Sequence, residues 1–274
     1  MPDASSWDVI CGADSSQVVL GVDFPARRRQ EAGFPDLAAS IGPAYRFLQT
    51  KPPAAGPCQQ PYGDAYVGPW LEGIRQDRHQ VLAVLGYRLG SVYATAIAEG
   101  ISRWQPMPKI ILFDPQFSSI ELLGLELHKE ISSISSLLGD DEIAHARKVA
   151  VEISQAATGD VANVATEMVE SYLEGITAAF ERVGLGDARS DKFVLSFMSY
   201  MSWLSAAGKI DPGPAWKHST GIASSASAQL TSKAHPAGDS RRLIGQMILF
   251  DVGPADLLRS ASVAQAVRDL LESR

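Results

Sequence analysis

A strand-to-helix turn with a charged centre is the segment of this sequence whose residue types and spacing point most directly to chemistry. The apolar run Val81–Tyr87 predicts a buried strand, and apolar residues at helical spacing follow immediately. The turn itself, Gly86–Gly90, reads G-Y-R-L-G, and its two glycines give the backbone room for a strained conformation. A G-x-S-x-G turn in this setting presents a nucleophilic serine at the start of a helix. Here the centre is Arg88, whose guanidinium stays protonated and is no nucleophile.

The strands and helices that position this turn are predicted from alternating patterns along the sequence. Apolar runs predict strands at 17–24, 81–87 and 109–113, and an alternating pattern predicts one at 44–49. Amphipathic stretches predict helices at 35–41, 64–76 and 91–104. Continuously apolar strands that alternate with helices are typical of a parallel sheet covered on both faces. The predicted fold class is therefore α/β, with a mostly parallel sheet and helices on both faces.

The middle of the chain has a different character. Residues 118–208 are almost wholly helical in pattern, with four-residue apolar spacing in 161–183 and an apolar, aromatic run at 193–204. Sheet signals return at 216–224 and 243–250. A last helix is predicted with Ser262 as its N-cap and Gln265 three residues on. We therefore predict one domain, 1–274, with a helical insertion at 118–208.

These segments resemble, in order and spacing, the α/β-hydrolase thioesterases of nonribosomal peptide and polyketide assembly lines. The resemblance covers nearly the whole chain outside the helical insertion, which sits where that family has its lid. Each matching piece is weakly specific alone, and the ordered set is more specific. The matching segments are the oxyanion strand and loop, the next strand, a helix, the elbow, the aspartate strand and the histidine segment, at 18–25, 43–49, 66–75, 81–98, 110–115 and 251–258.

Carried over by position, the resemblance implies a damaged catalytic triad. The serine position is Arg88, the histidine position is Pro254, and only the aspartate position, Asp114, keeps its residue type. A proline ring has no proton to transfer, so nucleophile and base are lost together, and with them covalent acyl transfer. The oxyanion loop also departs from the family's pattern, because Asp23–Arg29 reads D-F-P-A-R-R-R. By the same resemblance we expect substrate-binding positions at Ala26, Arg27, Tyr87, Leu89, Phe197 and Met201.

Two roles are open for Arg88. In the geometry of that family, the position of Arg88 lies near that of Asp114. One expectation is therefore an ion pair between the two side chains at a site without catalytic activity. The other is that Arg88, with the run Arg27–Arg29, holds an anionic group. A carboxylate, or the phosphate of a phosphopantetheine arm, suits the planar guanidinium.

Displaced catalytic residues are the remaining way to keep hydrolysis. Ser91 follows the turn directly, although its simplest interpretation is a residue of the first helical turn. His218 and His235 lie near the end of the insertion and beyond it, and surface or loop positions are the simplest interpretation of both. Asp251 and Asp256 lie beside the missing histidine.

Composition narrows the possible partners. The chain has 274 residues and a net charge of −7, with 24 Lys and Arg against 31 Asp and Glu, which argues against a nucleic-acid binder. It contains no apolar run of the roughly 18 residues that a membrane span needs, and its first residues lack a secretory signal, so we expect a cytoplasmic location. Cys11 and Cys58 lack metal-ligand spacing, and no nucleotide motif occurs, so neither a metal nor a cofactor is expected.

The sequence therefore favours a thioesterase-like protein of secondary metabolism. It would bind or act on an acyl or peptidyl thioester on a carrier protein, or a small acyl substrate, without the usual Ser-His-Asp hydrolysis. The phosphopantetheine arm of the carrier would then be part of the substrate. Two alternatives remain open: a non-hydrolytic enzyme that uses Arg88 and Asp114, for example for a cyclisation, and a hydrolase with displaced residues.

Overall fold

The computed structural model of the chain separates into two compact units. It describes residues 6–12, 15–24, 31–51, 63–133, 139–156, 164–165, 167–168, 170, 187–225 and 243–273. The first unit holds the described residues up to 117 and those from 210 onward, and the second holds residues 118–209.

The first unit is built on a seven-stranded sheet with the order β1-β3-β2-β4-β5-β6-β7. All neighbouring strands are parallel except β1 and β3, which are antiparallel. After a polar first residue, the central strands β2, β4 and β5 are predominantly apolar, as expected for a parallel sheet with both faces covered. The strands are β1 Trp7–Cys11, β2 Gln17–Val22, β3 Arg46–Thr50, β4 Gln80–Tyr87, β5 Lys109–Phe113, β6 Thr220–Ser224 and β7 Gln246–Phe250.

Helices cover the two faces of this sheet. They are α1 Phe34–Ile41, α2 Gly63–Gln76, α3 Gly90–Ile101, and, after the second unit, α7 Gly213–Trp216, a 3₁₀ helix at Pro254–Arg259 and α8 Ala261–Glu272. On one face, α1 and α8 share a buried core with Leu85 and Tyr87 of β4. On the other, Tyr93 of α3 packs edge-on against Trp70 of α2, with ring centroids 5.7 Å apart. The predicted layered arrangement is confirmed.

The second unit is helical in its described residues. Its long helices are α4 Ile120–Ser133, α5 Asp140–Ala156 and α6 Asp187–Ala207. In α4, Leu123, Leu127 and Ile131 are buried at four-residue spacing, which gives that helix one apolar face. The predicted helical run 193–204 lies within α6, whereas most of 161–183 lies outside the described residues. That this unit acts as a lid stays a prediction.

Two local features differ from the sequence-based expectation. Strand β1 was not predicted, because it is a five-residue edge strand whose Asp8 and Val9 are exposed and whose apolar pattern is irregular. The N-cap of α8 is Ser260, not Ser262, since Ser260 has extended backbone angles and the helix begins at Ala261. Ser262 lies in the first turn, with its hydroxyl 2.9 Å from that of Ser260.

Candidate functional site

The turn between β4 and α3 has the strained geometry that its sequence predicts. Arg88 adopts the left-handed conformation with φ 50°, which is uncommon for a residue with a Cβ. A Cβ on Gly86 would lie 2.5 Å from the Cα of Ser91, and a Cβ on Gly90 would lie 2.1 Å from the carbonyl oxygen of Val22. Both glycines are therefore required by close packing of backbone on backbone, and the turn is held in place from both sides.

Backbone hydrogen bonds tie this turn to the next strand end. The amide of Arg88 donates to the carbonyl of Phe113 at 2.8 Å, and its carbonyl accepts from the amide of Gln116 at 3.2 Å. The amide of Asp114 donates in turn to the carbonyl of Ile222 at 2.9 Å. Arg88 and Asp114 consequently lie at the carboxyl ends of adjacent parallel strands, the edge at which α/β sheets bind ligands.

The guanidinium of Arg88 forms an ion pair with Glu31. Its Nη2 donates to Glu31 Oε1 at 2.7 Å, and the two side chains are 29% and 30% exposed. The hydroxyl of Tyr87 lies 3.4 Å from the second oxygen, Glu31 Oε2, so two adjacent residues of the turn reach one carboxylate. The guanidinium carbon also lies 5.3 Å from the centre of the Tyr87 ring, within cation–π range.

The expected ion pair between Arg88 and Asp114 is wrong. Among the described residues, the carboxylate of Asp114 is bonded to Ser224 at the end of β6: Oδ1 accepts from the amide at 2.8 Å and Oδ2 accepts from the hydroxyl at 2.9 Å. Asp114 is 4% exposed, and a buried carboxylate must have its oxygens paired. The neighbouring strand supplies both donors, so the half-exposed guanidinium pairs elsewhere.

Pro254, where the resemblance leads us to expect a histidine, is the first residue of the 3₁₀ helix. Its carbonyl oxygen lies 3.4 Å from the hydroxyl of Tyr87, so this position meets the turn through backbone and not through a side chain. The structure thus brings Arg88, Tyr87, Glu31 and Pro254 together, whereas the buried carboxylate of Asp114 is bonded to Ser224.

The other predicted binding positions are divided between the two units. Leu89 is the N-cap residue of α3 and is 3% exposed. Phe197 and Met201 lie in the second unit, where they are 4% and 0% exposed. Ala26 and Arg27, with the rest of the run to Arg29, lie outside the described residues.

The structure also shows the environment of each described residue that could act as a displaced catalytic residue. Ser91 is fully buried, and its hydroxyl donates to the carbonyl of Gly86 at 3.3 Å, as a residue of the first helical turn. His218 is exposed and precedes β6, whereas Arg88 and Asp114 follow the opposite, carboxyl ends of their strands. Asp256 lies 3.4 Å from Arg259 within the 3₁₀ helix. His235 lies outside the described residues.

Two residues of the site were missed from the sequence, Glu31 and Ser224. Glu31 follows the arginine run in the loop after β2, and a charge-balance argument points to it, because a cation at the turn needs a counter-ion. Ser224 ends a strand next to that of Asp114, and parallel strand ends meet at one edge. Strand order, which the sequence alone did not specify, was required to connect them.

Two titratable groups outside this cluster have shifted pKa values. Burial raises the pKa of Tyr93 well above its ordinary value of 10.0, and the nearby Tyr66 adds to the rise. Burial lowers the pKa of His79 from 6.5, with a further lowering by Arg46.

Among the described residues, no group of three His, Cys, Asp or Glu side chains is arranged to hold a metal ion. No helix in the described part of the chain has the length and apolar character needed to span a membrane.

Comparisons with known proteins place the fold. No family model and no curated protein matches the chain. Among solved structures, a four-domain nonribosomal peptide synthetase bound to AMP and glycine superposes with a TM-score of 0.60 and 11% identity over 98% of this chain, which spans only 20% of that protein. The Vlm2 thioesterase domain, bound with a dodecadepsipeptide, gives 0.52 and 13% over 97% of this chain and 98% of that one.

An enzyme with a different activity is structurally as similar to this chain as the Vlm2 thioesterase domain is. The enol-lactonase from Burkholderia xenovorans LB400 superposes with a TM-score of 0.53 and 13% identity over 97% of this chain and 96% of its own. At these identities the comparisons establish the fold alone. The chain has an α/β-hydrolase fold, as its sequence predicts.

Proposed function

We propose that this protein binds an acyl or peptidyl thioester of nonribosomal peptide or polyketide biosynthesis without hydrolysing it by a Ser-His-Asp triad. The fold shared with a nonribosomal peptide synthetase and a thioesterase domain supports the substrate class. The expected partner is an acyl or peptidyl carrier protein, or a small acyl substrate, and the phosphopantetheine arm is expected as part of the ligand. A cytoplasmic location and the lack of nucleic-acid partners stay predictions.

The residue at the centre of the turn is the observation that carries this proposal. The strained turn that the sequence predicts is present, with φ 50° at Arg88 and close packing at Gly86 and Gly90. The side chain at that point is a guanidinium in an ion pair with Glu31. An always-protonated group has no lone pair with which to attack a thioester.

The surroundings of Asp114 disfavour the non-hydrolytic enzyme that would use it as a general base. Both carboxylate oxygens accept hydrogen bonds from Ser224, and the side chain is 4% exposed. A general base must lie within hydrogen-bond reach of the proton that it takes. A base sealed in this way would first have to break its contacts with β6.

The surroundings of Ser91 likewise disfavour a displaced nucleophile. Its hydroxyl is fully buried and is engaged with the backbone of Gly86. An active serine must reach both a base and the substrate carbonyl. In this protein Ser91 is better explained as part of the packing that holds the turn.

Binding and hydrolysis are measured on one sample to test the proposal. Butyryl-pantetheine and pantetheine are titrated into the protein by calorimetry, and the ligand is then recovered and analysed by mass spectrometry. We expect the acyl thioester to bind more tightly than free pantetheine and to be recovered intact. Equal affinity for the two ligands would overturn the proposed ligand class, and recovery of butyrate at catalytic yield would overturn the lack of hydrolysis. Ser91→Ala is the matched variant, because loss of hydrolysis in it would identify a displaced nucleophile.

A further inference from the structure

Two donors of the turn converge on the two oxygens of a single carboxylate. Arg88 Nη2 lies 2.7 Å from Glu31 Oε1, and the hydroxyl of Tyr87 lies 3.4 Å from Glu31 Oε2. The phenol has one proton, and the carbonyl of Pro254, also at 3.4 Å, is another acceptor near it. Two donors in this arrangement match a planar anion with two oxygens, and in this conformation they bind a side chain of the protein itself.

The two donors lie at the end of β4, whereas the carboxylate that they bind comes from a loop. Tyr87 is 2% exposed, and Arg88 is fixed at its backbone by the packing of the two glycines and by the bond to Phe113. Glu31, in contrast, lies in the loop between β2 and α1, and its side chain is 30% exposed. The half-exposed pair is in contact with solvent, so a dissolved carboxylate can reach the guanidinium when Glu31 leaves it.

We infer that Arg88 and the hydroxyl of Tyr87 form a binding site for a ligand carboxylate, and that Glu31 occupies this site as an internal competitor in the ligand-free protein. A ligand with a free carboxylate replaces Glu31 on the same two donors, whereas a neutral acyl chain leaves the ion pair intact. This inference rests on the proposed function, because it specifies that the preferred acyl chain carries a terminal carboxylate.

Removing the internal competitor tests the inference. Succinyl-pantetheine and butyryl-pantetheine have four-carbon acyl chains and differ at the end of the chain, carboxylate against methyl. In calorimetric titrations at constant ionic strength, Glu31→Gln should raise the affinity for succinyl-pantetheine about fivefold, since the carboxylate of Glu31 then no longer competes with the ligand for these two donors. The affinity for butyryl-pantetheine should be unchanged.

Matched variants separate this effect from a general change of charge. Asp8→Asn removes a carboxylate from another partly exposed ion pair, in which Asp8 lies 3.1 Å from Lys51, and should change neither affinity. Arg88→Gln should abolish the preference for the succinyl chain. Tyr87→Phe should reduce that preference, because one of the two donors to the carboxylate is lost.

The outcomes distinguish this inference from the proposed function. Binding of both thioesters with equal affinity in Glu31→Gln would overturn the carboxylate site and leave thioester binding intact. Binding of free succinate to Glu31→Gln, together with no binding of either thioester, would overturn the proposed function and leave the carboxylate site. Inorganic phosphate bound as tightly as succinate would contradict a site that selects carboxylates.

Discussion

The ends of β4 and β5 have the same backbone and opposite side-chain environments. Arg88 and Asp114 both adopt the left-handed conformation, with φ 50° and 41°, and both amides donate to the next strand. The side chain of Arg88 is 29% exposed and pairs with a loop residue, Glu31. Asp114 is 4% exposed and is bonded through both oxygens to the end of β6.

This difference distinguishes the residues that the fold requires from those that a catalytic reaction would require. The turn at β4 depends on the glycines beside it, so its central side chain can change without changing the backbone. At β5, a carboxylate of the type found in a catalytic triad is present, yet its hydrogen bonds link two strands. Residue type at a position matched only by resemblance is therefore weaker evidence for a role than the partners of that residue.

The largest effect is expected where the backbone of the turn itself is blocked. Gly90→Ala places a Cβ 2.1 Å from the carbonyl oxygen of Val22, and backbone atoms cannot move aside as a side-chain end can. We expect the free energy of unfolding to fall by about 3 kcal/mol, as in severe overpacking. Urea denaturation followed by circular dichroism measures the change.

A glycine with free space nearby is the control for that substitution. A Cβ on Gly253 would have Asp256 Oδ2 at 4.0 Å as its nearest neighbour, and its φ of −67° suits any residue. Gly253→Ala should leave the stability unchanged within about 0.5 kcal/mol. Equal effects of the two variants would show that close packing does not hold the turn.

An intermediate effect is expected at the contact between the ends of β5 and β6. Ser224→Ala removes the hydroxyl that donates to Asp114 Oδ2 and leaves a buried carboxylate oxygen without that partner. The loss should be about 2 kcal/mol. Ser102→Ala, which removes an exposed hydroxyl bonded to the carbonyl of Glu99, is the control and should change stability by less than about 0.5 kcal/mol.

Asp114→Asn sharpens the structural interpretation of that carboxylate. The amide oxygen can accept from the amide of Ser224, and the amide nitrogen can donate to its hydroxyl, so both contacts survive with the second one reversed. We expect a loss of less than about 1 kcal/mol, by chemical denaturation. A loss larger than that of Ser224→Ala would mean that the charge of Asp114, and not its hydrogen bonding, stabilises this edge.

A smaller effect is expected at the end of β4. Glu31→Gln removes the charge of a half-exposed ion pair, and such pairs contribute about 0.2–1 kcal/mol. The contribution should decrease further at high salt, which a denaturation series in sodium chloride measures. A loss above that of Ser224→Ala would invert the comparison between the two strand ends.

At the opposite end of β4, we expect the free energy of unfolding to depend on pH through His79. Burial, and then Arg46, lower the pKa of His79 from 6.5, while the carboxylate of Asp77, 3.3 Å from Nε2, partly opposes this. The unfolded chain therefore binds a proton more readily, so the stability from neutral His79 is full above pH 6.5 and is lost as pH falls below it. His79→Gln should flatten this decline in thermal unfolding measured against pH, and the exposed His218→Gln should not.

Much of the fold could be predicted from the sequence because its signals are local. Strand β5 is found at the predicted residues, 109–113, and the turn at 86–90 follows from two glycines between an apolar run and a helix. Side-chain partners depend on which strands are neighbours and on how loops return to the sheet. The contacts of Arg88 with Glu31 and of Asp114 with Ser224 are of that kind, and they were missed.

Turnover of thioesters tests the central claim most directly. Release of free thiol is followed from a panel of acyl-pantetheines and acyl-carrier proteins of different chain lengths, with wild type and Arg88→Ser side by side. With a guanidinium at the turn and a proline where the resemblance leads us to expect a histidine, we predict that wild type releases no thiol above the rate without protein. Steady turnover by wild type, at any chain length, would contradict it.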